Sequence, residues 1–479
     1  MGVIRKIGLV LLVLLTLLVA AILVLQAVVN PNDYKEFIRQ QAAQEHIDLT
    51  MKGDIHWSFF PAPAFTMEDI DAVLPVGDER QALRIAKLKI ALAIAPLLDR
   101  KIEFSSVEIK DANAKNLNNI HLLIEDLNSS GRSFPMKLSL VFAQDTLQVP
   151  IQLKTAVSVN LADKQSIRVV LDPFEITVDN SHITGIIHWQ QGAPDHTELN
   201  LKSDSLLVRH LTLTDVQLSA TVDGKKIMLQ SLQANAYQGQ LHSNGAIDLA
   251  DEKAARLQLN TELKGVQLAP FLADLQQKPS KILAGSLQLE SRLTALPLSR
   301  PGILKTLSGD VQFSVNGLVI NEVNLEKRVC EAVAQLESKS LPAKRWPPKT
   351  EFREMHGTAT IRNGVMVFAP LAAKLDTLNL VGAGPVSLPD NVMDLRLELK
   401  TMAGQQAVNT CAVMNPRLSE ISWPLRCEGN YVTENGEDLC SIDKSRMDKI
   451  ILQVTKEKVQ SQLDGKGESL KGMLEGLLH

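Results

Sequence analysis

Over its second half the chain alternates apolar and polar positions with a period of two. Val216, Leu218, Ala220 and Val222 make one such run, followed by Leu257, Leu259 and Leu263, by Leu287, Leu289 and Leu293, by Val311, Phe313 and Val315, and by Leu395, Leu397 and Leu399. Successive side chains of a strand point to opposite sheet faces, so each run reads as a strand with one buried face. Asp223-Gly224, Asn244-Gly245, Asn316-Gly317 and Asn363-Gly364 stand between runs as turn signals. Such pairs supply the positive φ of two-residue hairpins, and strands joined that way are antiparallel neighbours. Asn363-Gly364 has the right setting, between Ala359/Ile361 and Val365/Val367. Gly239, Gly285, Gly309 and Gly357 each precede an apolar residue at +2, with separations of 46, 24 and 48 residues. These lie near multiples of one hairpin-sized unit, which favours a long meander over several unrelated globules.

Helical periodicity is sparse. Asn30-Pro31 pairs an N-cap with a proline at the first helical position, so residues 32–46 read as a short helix. Leu325, Val329, Ala332, Val333 and Leu336 form a helical stripe, and Val266 to Gln276 is a second candidate, interrupted by Pro270. Met447, Ile450, Ile451 and Val454, then Leu470, Met473, Leu474, Leu477 and Leu478, form two amphipathic segments in the tail. Such stripes pack on their own protein or on a membrane surface or partner.

The run from Ile7 to Val29 breaks every period, because its 23 positions carry no charge. That length crosses a bilayer core at about 1.5 Å per residue. It also exceeds the apolar core of a cleaved signal peptide, and the cleavage candidate at Ala27 has the bulky Leu25 two residues before it. Residues 7–29 therefore read as a transmembrane anchor. Arg5 and Lys6 precede the span, so the positive-inside rule leaves residues 1–6 in the cytoplasm and the rest outside. The expected organisation is a cytoplasmic terminus (1–6), an anchor (7–29), two β regions (30–200 and 201–443) and a helical tail (444–479).

Composition narrows the function. Lys and Arg number 50 against 54 Asp and Glu, and only 4 Trp and 3 Tyr are spread over 479 residues. Without a basic excess or stacking rings, nucleic acid is not an expected partner. The four cysteines, Cys330, Cys411, Cys427 and Cys440, contain no Cys-x-x-Cys pair. In an oxidising compartment an even number fits two disulfides, with three connectivities open and four free thiols as the alternative. The 13-residue separation of Cys427 and Cys440, with turn formers between them, favours joining those two, which leaves Cys330 for Cys411.

Catalytic motifs are missing from the sequence. It contains no Gly-x-Ser-x-Gly elbow, no His-Glu-x-x-His and no calcium loop. Gly467 to Gly472 has the Walker spacing, but Met473 stands where the phosphate-binding lysine belongs. His182 and His188 are too far apart along a strand to share a metal, and Glu68, Asp69 and Asp71 read as a solvated turn. Lys339, Lys344, Arg345, Trp346 and Lys349 mark a basic, proline-stiffened connection. No cofactor and no enzymatic activity are expected.

Several segments resemble the AsmA family of Gram-negative envelope proteins. After the anchor, Gly53-Asp-Ile-His-Trp57-Ser-Phe-Phe-Pro61 with Phe65, Met67 and Asp69 is similar to that family's early segment. Ala95 to Leu98 and Ile102 to Ala112 are similar to its next strand pair. Ala236-Tyr-Gln-Gly239-Gln-Leu241, Gly245 to Leu249, Leu263 to Leu268, Gly285 and Ser308 to Val311 resemble its later region, with Gln238 standing where the family often has Gly. The resemblance implies a periplasmic protein held in the inner membrane that supports outer-membrane biogenesis, related to lipid carriers with hydrophobic grooves.

Pattern and resemblance together predict a mainly β fold: one amino-terminal transmembrane helix, a long antiparallel sheet curled into a groove-like half-pipe, a few short helices and an amphipathic tail. Leu218, Leu259, Leu289, Phe313, Ile361 and Leu397 are the candidate groove-lining residues. The same strands packed as closed sandwiches would bury those positions instead. The expected cargo is membrane phospholipid. The alternative is an assembly factor that binds outer-membrane protein strands by β-augmentation, with the outer-membrane assembly machinery as partner.

Overall fold

The structure is a computed structural model describing residues 30–450 and 452. Within that range it leaves out loop tips, the longest being 97–102, 128–132, 297–301 and 434–438, and the segments 337–345 and 402–420. The apolar stretch 7–29 and most of the predicted tail lie outside the described residues. Among those described, no helix is long and apolar enough to cross a membrane.

Two compact units divide the chain. Unit 1 runs up to Leu206 and includes Thr221–Gly224, and unit 2 holds Leu207–Ala220 and everything from Lys225 on. Unit 1 contains β1 (Asp48–Met51), β2 (Ile55–Ser58), β3 (Ala64–Val76), β4 (Glu79–Leu92), β5 (Phe104–Ala114), β6 (Leu117–Ile124), β7 (Phe134–Gln144), β8 (Leu147–Asp163), β9 (Ser166–Val178), β10 (Ser181–Gln190) and β11 (His196–Val208). From β3 to β11 each strand pairs antiparallel with the next, while β1 and β2 share one edge of β3.

The expected first helix is present as a 3-10 turn, Pro31–Tyr34, continuing into α1 (Lys35–Gln44), with the Asn30 side chain accepting from the Asn32 backbone N–H. Ile38 of α1 packs on a small core in which Ile70, Ile85 and Ala112 oppose one another across β3, β4 and β5. Glu68, Asp69 and Asp71 are not a turn. They lie within β3, where Asp69 takes a left-handed φ of 52°. Glu68 pairs with Lys87 (3.1 Å) and Asp71 with Lys52 and Arg84. The hydrogen bond from Lys52, helped by Arg84, holds the Asp71 carboxyl below its usual value.

Unit 2 continues the pattern with β12 (Leu211–Asp223), β13 (Lys226–Ala236), β14 (Gly239–Asp248), β15 (Arg256–Gln267), β16 (Ile282–Ala295), β17 (Ser308–Asn321), β18 (Lys349–Arg362), β19 (Val365–Lys374), β20 (Leu378–Ser387), β21 (Val392–Thr401), β22 (Trp423–Asn430) and β23 (Cys440–Ile442). From β13 on, sequential strands are antiparallel neighbours. Between them lie α2 (Leu268–Gln276), the single turn α3 (Ile303–Thr306) and α4 (Leu325–Leu336). Pro270 does not interrupt α2, because it falls in the first turn, where its missing N–H has no intrahelical partner.

Two of the four turn signals are turns. Asn363 and Gly364 (φ 49° and 80°) close the β18–β19 hairpin, and Gly224 (φ 57°) lies between β12 and β13. The other two sit inside strands. Asn244-Gly245 is in the middle of β14, where Asn244 accepts a hydrogen bond from the Asn260 amide at 2.8 Å on the neighbouring strand. Asn316-Gly317 lies within β17, and Gly317 spends its positive φ (62°) at the irregular register against β16. The β13–β14 hairpin turns without the missing glycine, since Tyr237 and Gln238 both adopt positive φ, 49° and 65°.

The main core of unit 2 occupies one face of β15–β23. Trp423, Leu375, Leu399, Leu425 and Val329 are almost wholly enclosed there. Leu268 of α2, Leu325, Val329 and Ala332 of α4, and Met447 cover that face. Met447 belongs to a helical stretch, 444–450, so the first tail segment packs on its own protein. The start of α4 is fixed from β18: the buried Thr350 hydroxyl donates to the Val323 carbonyl (2.7 Å) and accepts from the Leu325 N–H (3.1 Å).

Candidate functional site

Directly opposed residues of antiparallel strands share a face, so the register converts scattered leucines into continuous rows. In unit 2 one row runs Leu263, Leu289, Phe313, Gly357, Leu371, Gly382, Leu397, Leu425, Ile442. Gly245, Leu259, Leu293, Gly309, Ile361 and Met366 form a parallel row on the same face, four residues along β15–β18 and five along β19, where the register shifts. Five of the six candidate groove residues therefore face one side. Two glycines make room for large neighbours: a Cβ on Gly357 would come within 3.1 Å of the Phe313 ring, and one on Gly382 within 2.5 Å of Leu397.

Burial separates these positions. Leu397 (6% exposed) belongs to the helix-covered core, and Ile361 (4%) is also buried. Leu289 and Phe313 are half-buried at the margin of that core, with Phe313 edge-on to Phe368 at 5.8 Å. Leu218 on β12 and Leu259 on β15 are half-buried and belong to no buried cluster. The face is thus closed over β16–β23 and uncapped from Leu259 on β15 through β14 and β13, and the apolar side chains of β12 likewise lie outside that core.

The uncapped part has a distinct build. On β12–β14 the buried side chains are Val216, Ala220, Ala234, Ala236 and Ser243, none larger than valine, while Leu218, Leu229, Leu232 and Leu241 stay half-buried. Ser243 donates to the Asn260 carbonyl at 2.9 Å, so its hydroxyl is satisfied within the sheet and the face presents hydrocarbon. Tyr237 marks the boundary with the closed part. Its hydroxyl donates to Asp274 of α2 (2.7 Å), its ring meets Phe271 edge-on, and burial pushes its pKa up to about 12.

Unit 1 has the same build on β7–β11, a region the sequence reading left without candidates. Leu138, Leu153, Ile176 and Ile183 form one row, and Val157, Leu171, Ile187 and Leu199 another. All but Val157 are half-buried. The buried side chains on the described parts of these strands are Thr155, Val157 and Ser203, and β7–β11 contribute to neither core cluster. The alternation of Met136, Leu138, Leu140 and Phe142 and of Val149, Ile151 and Leu153 was the available signal.

The opposite face of unit 2 is polar. A cavity of about 800 Å³ opens on it across β14–β19, lined by groups such as Asn244, Glu262, Glu290, Arg292, Asp310 and Thr360. These hydrogen-bonding groups suit water and polar solutes and offer nothing to an acyl chain. Among the described residues, no group of three or more His, Cys, Asp or Glu converges to hold a metal ion.

Cys427 and Cys440 face each other across β22 and β23 and are bonded, with an S–S distance of 2.04 Å. Cys330 of α4 is also in a disulfide, and Cys411, the cysteine assigned to it, lies outside the described residues. Of the basic connection, Lys339, Lys344 and Arg345 are likewise outside, while Lys349 begins β18 and pairs with Glu351.

The profile of the AsmA family matches residues 1–120 and 162–371. Protein AsmA of Escherichia coli (strain K12) is 26% identical over 234 residues, 49% of this chain and 37% of that protein's length. The chain therefore spans well under two thirds of that relative. No solved structure matches.

Proposed function

Since the chain belongs to the AsmA family, we propose that it is an inner-membrane-anchored periplasmic protein that carries phospholipid acyl chains along its uncapped apolar β face, in support of outer-membrane biogenesis. Family membership supports a part in outer-membrane assembly or lipid transport in general. The specific reading rests on one observation. β7–β11 of unit 1 and β12–β14 of unit 2 carry aliphatic side chains, most of them half-buried, that join no core cluster.

Burial of each methylene gains roughly 0.8 kcal/mol, and a uniform aliphatic row offers that gain at every position. Lipid is then held without being fixed at one point, while its headgroup remains in water. The reading needs no covalent chemistry. Residues 7–29 serve as the anchor, with residues 1–6 cytoplasmic and the two units periplasmic.

The assembly-factor alternative has less support, because the strands in terminal positions are poor templates. β23 has three residues, and both backbone groups of Ile55 on β2 are occupied by the Asn32 side chain, at 2.9 and 3.2 Å.

The test is a photo-crosslinking amino acid placed at Ile183, Leu218 or Leu259 of the full chain in its own envelope. Phospholipid adducts at these positions, with none at His242 on the polar face, are the expected result. Peptide adducts without lipid would overturn the carrier reading in favour of the assembly factor.

A further inference from the structure

The start of the described chain carries an unusual surface. Tyr34 and Phe37 are 55% and 60% exposed, and of the described aromatics only Phe104 is comparably open. They lie three residues apart, on one side of the helical segment. A soluble helix has no reason to hold two large rings in water, and this chain has only 19 aromatic residues, 4 Trp, 3 Tyr and 12 Phe, to place.

The helix is nonetheless fastened to unit 1, through Asn32, Lys35 and Ile38, while the two rings stay exposed. The Asn32 amide donates to the Ile55 carbonyl and its oxygen accepts from the Ile55 N–H. Lys35 pairs with Asp54 at 2.9 Å, and Ile38 packs on the core around Ile55 and Ile70. These contacts fix which side of the helix faces away from the sheet.

Position identifies the occupant. The uncharged run ends at Val29, and Asn30 is extended (φ −83°, ψ 110°) as the cap of the helical segment, which therefore starts immediately after that run. Four residues of 3-10 helix at about 2 Å each place Tyr34 about 8 Å from Asn30, comparable to the headgroup layer outside a bilayer core. Tyrosine and other rings concentrate at that depth.

We propose that the Tyr34/Phe37 side of this helical segment docks on the lipid surface from which the chain emerges, so that α1 is clamped between unit 1 and the membrane. The clamp sets unit 1 against the bilayer at its β1–β3 end instead of leaving it on a free tether. It rests on the reading of residues 7–29 as an anchor.

The test uses the full chain in phosphatidylcholine/phosphatidylglycerol vesicles, with single cysteines carrying a nitroxide at Tyr34, Phe37, Ala43 and Leu18. Among the described residues no cysteine is free to compete for label. Collision with oxygen, relative to a water-soluble nickel complex, reports depth. The expected result is a high oxygen-to-nickel ratio at Leu18→Cys, an intermediate one at Tyr34→Cys and Phe37→Cys, and a low one at Ala43→Cys. A bilayer-like ratio at Leu18→Cys with water-like ratios at both aromatic positions would overturn the clamp while leaving the anchor intact. A water-like ratio at Leu18→Cys would remove the anchor, and the clamp with it.

Discussion

Within unit 2 the same strand pattern meets two fates. On β16–β23 the apolar face lies under α2, α4 and residues 444–450, and Leu399, Trp423 and Leu425 are 0–1% exposed. On β12–β14 Leu218, Leu229 and Leu241 alternate in the same way, yet nothing larger than valine is buried and no cluster forms. What separates them is the inserted helices, which the alternation does not report. A strand's pattern states which face is apolar, and a second element decides whether that face becomes a core or a surface that can be used.

The largest break in this comparison comes from placing a charge on each side of it. Leu399→Asp buries an unpaired carboxylate in the covered core, a cost that rivals the 5–15 kcal/mol or so holding a domain together. Loss of the cooperative unfolding transition of unit 2 is the expected outcome in circular dichroism melts. Leu259→Asp can hydrate its carboxylate, so it should cost only about 1 kcal/mol. Its expected signature is weakened lipid binding by a folded protein, and if Leu259→Asp unfolds the chain as Leu399→Asp does, the face over β15 is closed.

The covered region is also fastened covalently. Replacing Cys427 and Cys440 together by Ser releases a loop of 13 residues, which in the chain-entropy model costs about 3 kcal/mol. Denaturant titration should show unit 2 losing that stability while lipid adducts at Ile183 in unit 1 persist. A smaller loss is expected from Gly357→Val, about 1–3 kcal/mol, because the added carbons meet the Phe313 ring and the Pro370 carbonyl. Its measurable counterpart is a lowered melting temperature with the β18–β19 hairpin intact.

The smallest effects are pH-dependent and opposite in sign. His196 in unit 1 has its pKa raised by hydrogen bonding to Asp223 and then Glu198. Its contribution is full below the unfolded histidine value near 6.5 and is lost as pH rises through the raised folded value. The gap in unfolding midpoint between the native chain and His196→Ala should therefore be widest below about pH 6.5 and narrow as pH rises above it. Asp394 in unit 2 is lowered by its hydrogen bonds from Arg426, so its contribution is present above 3.8 and disappears as pH falls through the depressed value. The corresponding gap for Asp394→Asn should close in acid.

The sequence carried the strands around Leu218, Leu259, Leu289, Phe313, Ile361, Val367 and Leu397, the helices at 325–336 and after Pro31, and the hairpin at Asn363-Gly364, because period and φ preference are local properties. It misplaced Asn244-Gly245 and Asn316-Gly317. An Asn-Gly pair offers a positive φ or a close backbone approach without stating whether a turn or a sheet irregularity will use it. Alternation marks Leu397 and Leu259 alike, and nothing local separates the one under its helices from the other on the uncapped face. The rows of β7–β11 depend on register across five strands, a non-local property that appears only once Leu138, Leu153, Ile176 and Ile183 are aligned.

Native mass spectrometry of the full chain, released from detergent micelles and followed by lipid extraction, tests the uncapped face most directly. The account predicts phospholipid retained at a defined stoichiometry and reduced in the folded Leu218→Asp/Leu259→Asp variant. A folded chain that carries no lipid, or that carries the same amount with both charges in place, would contradict it.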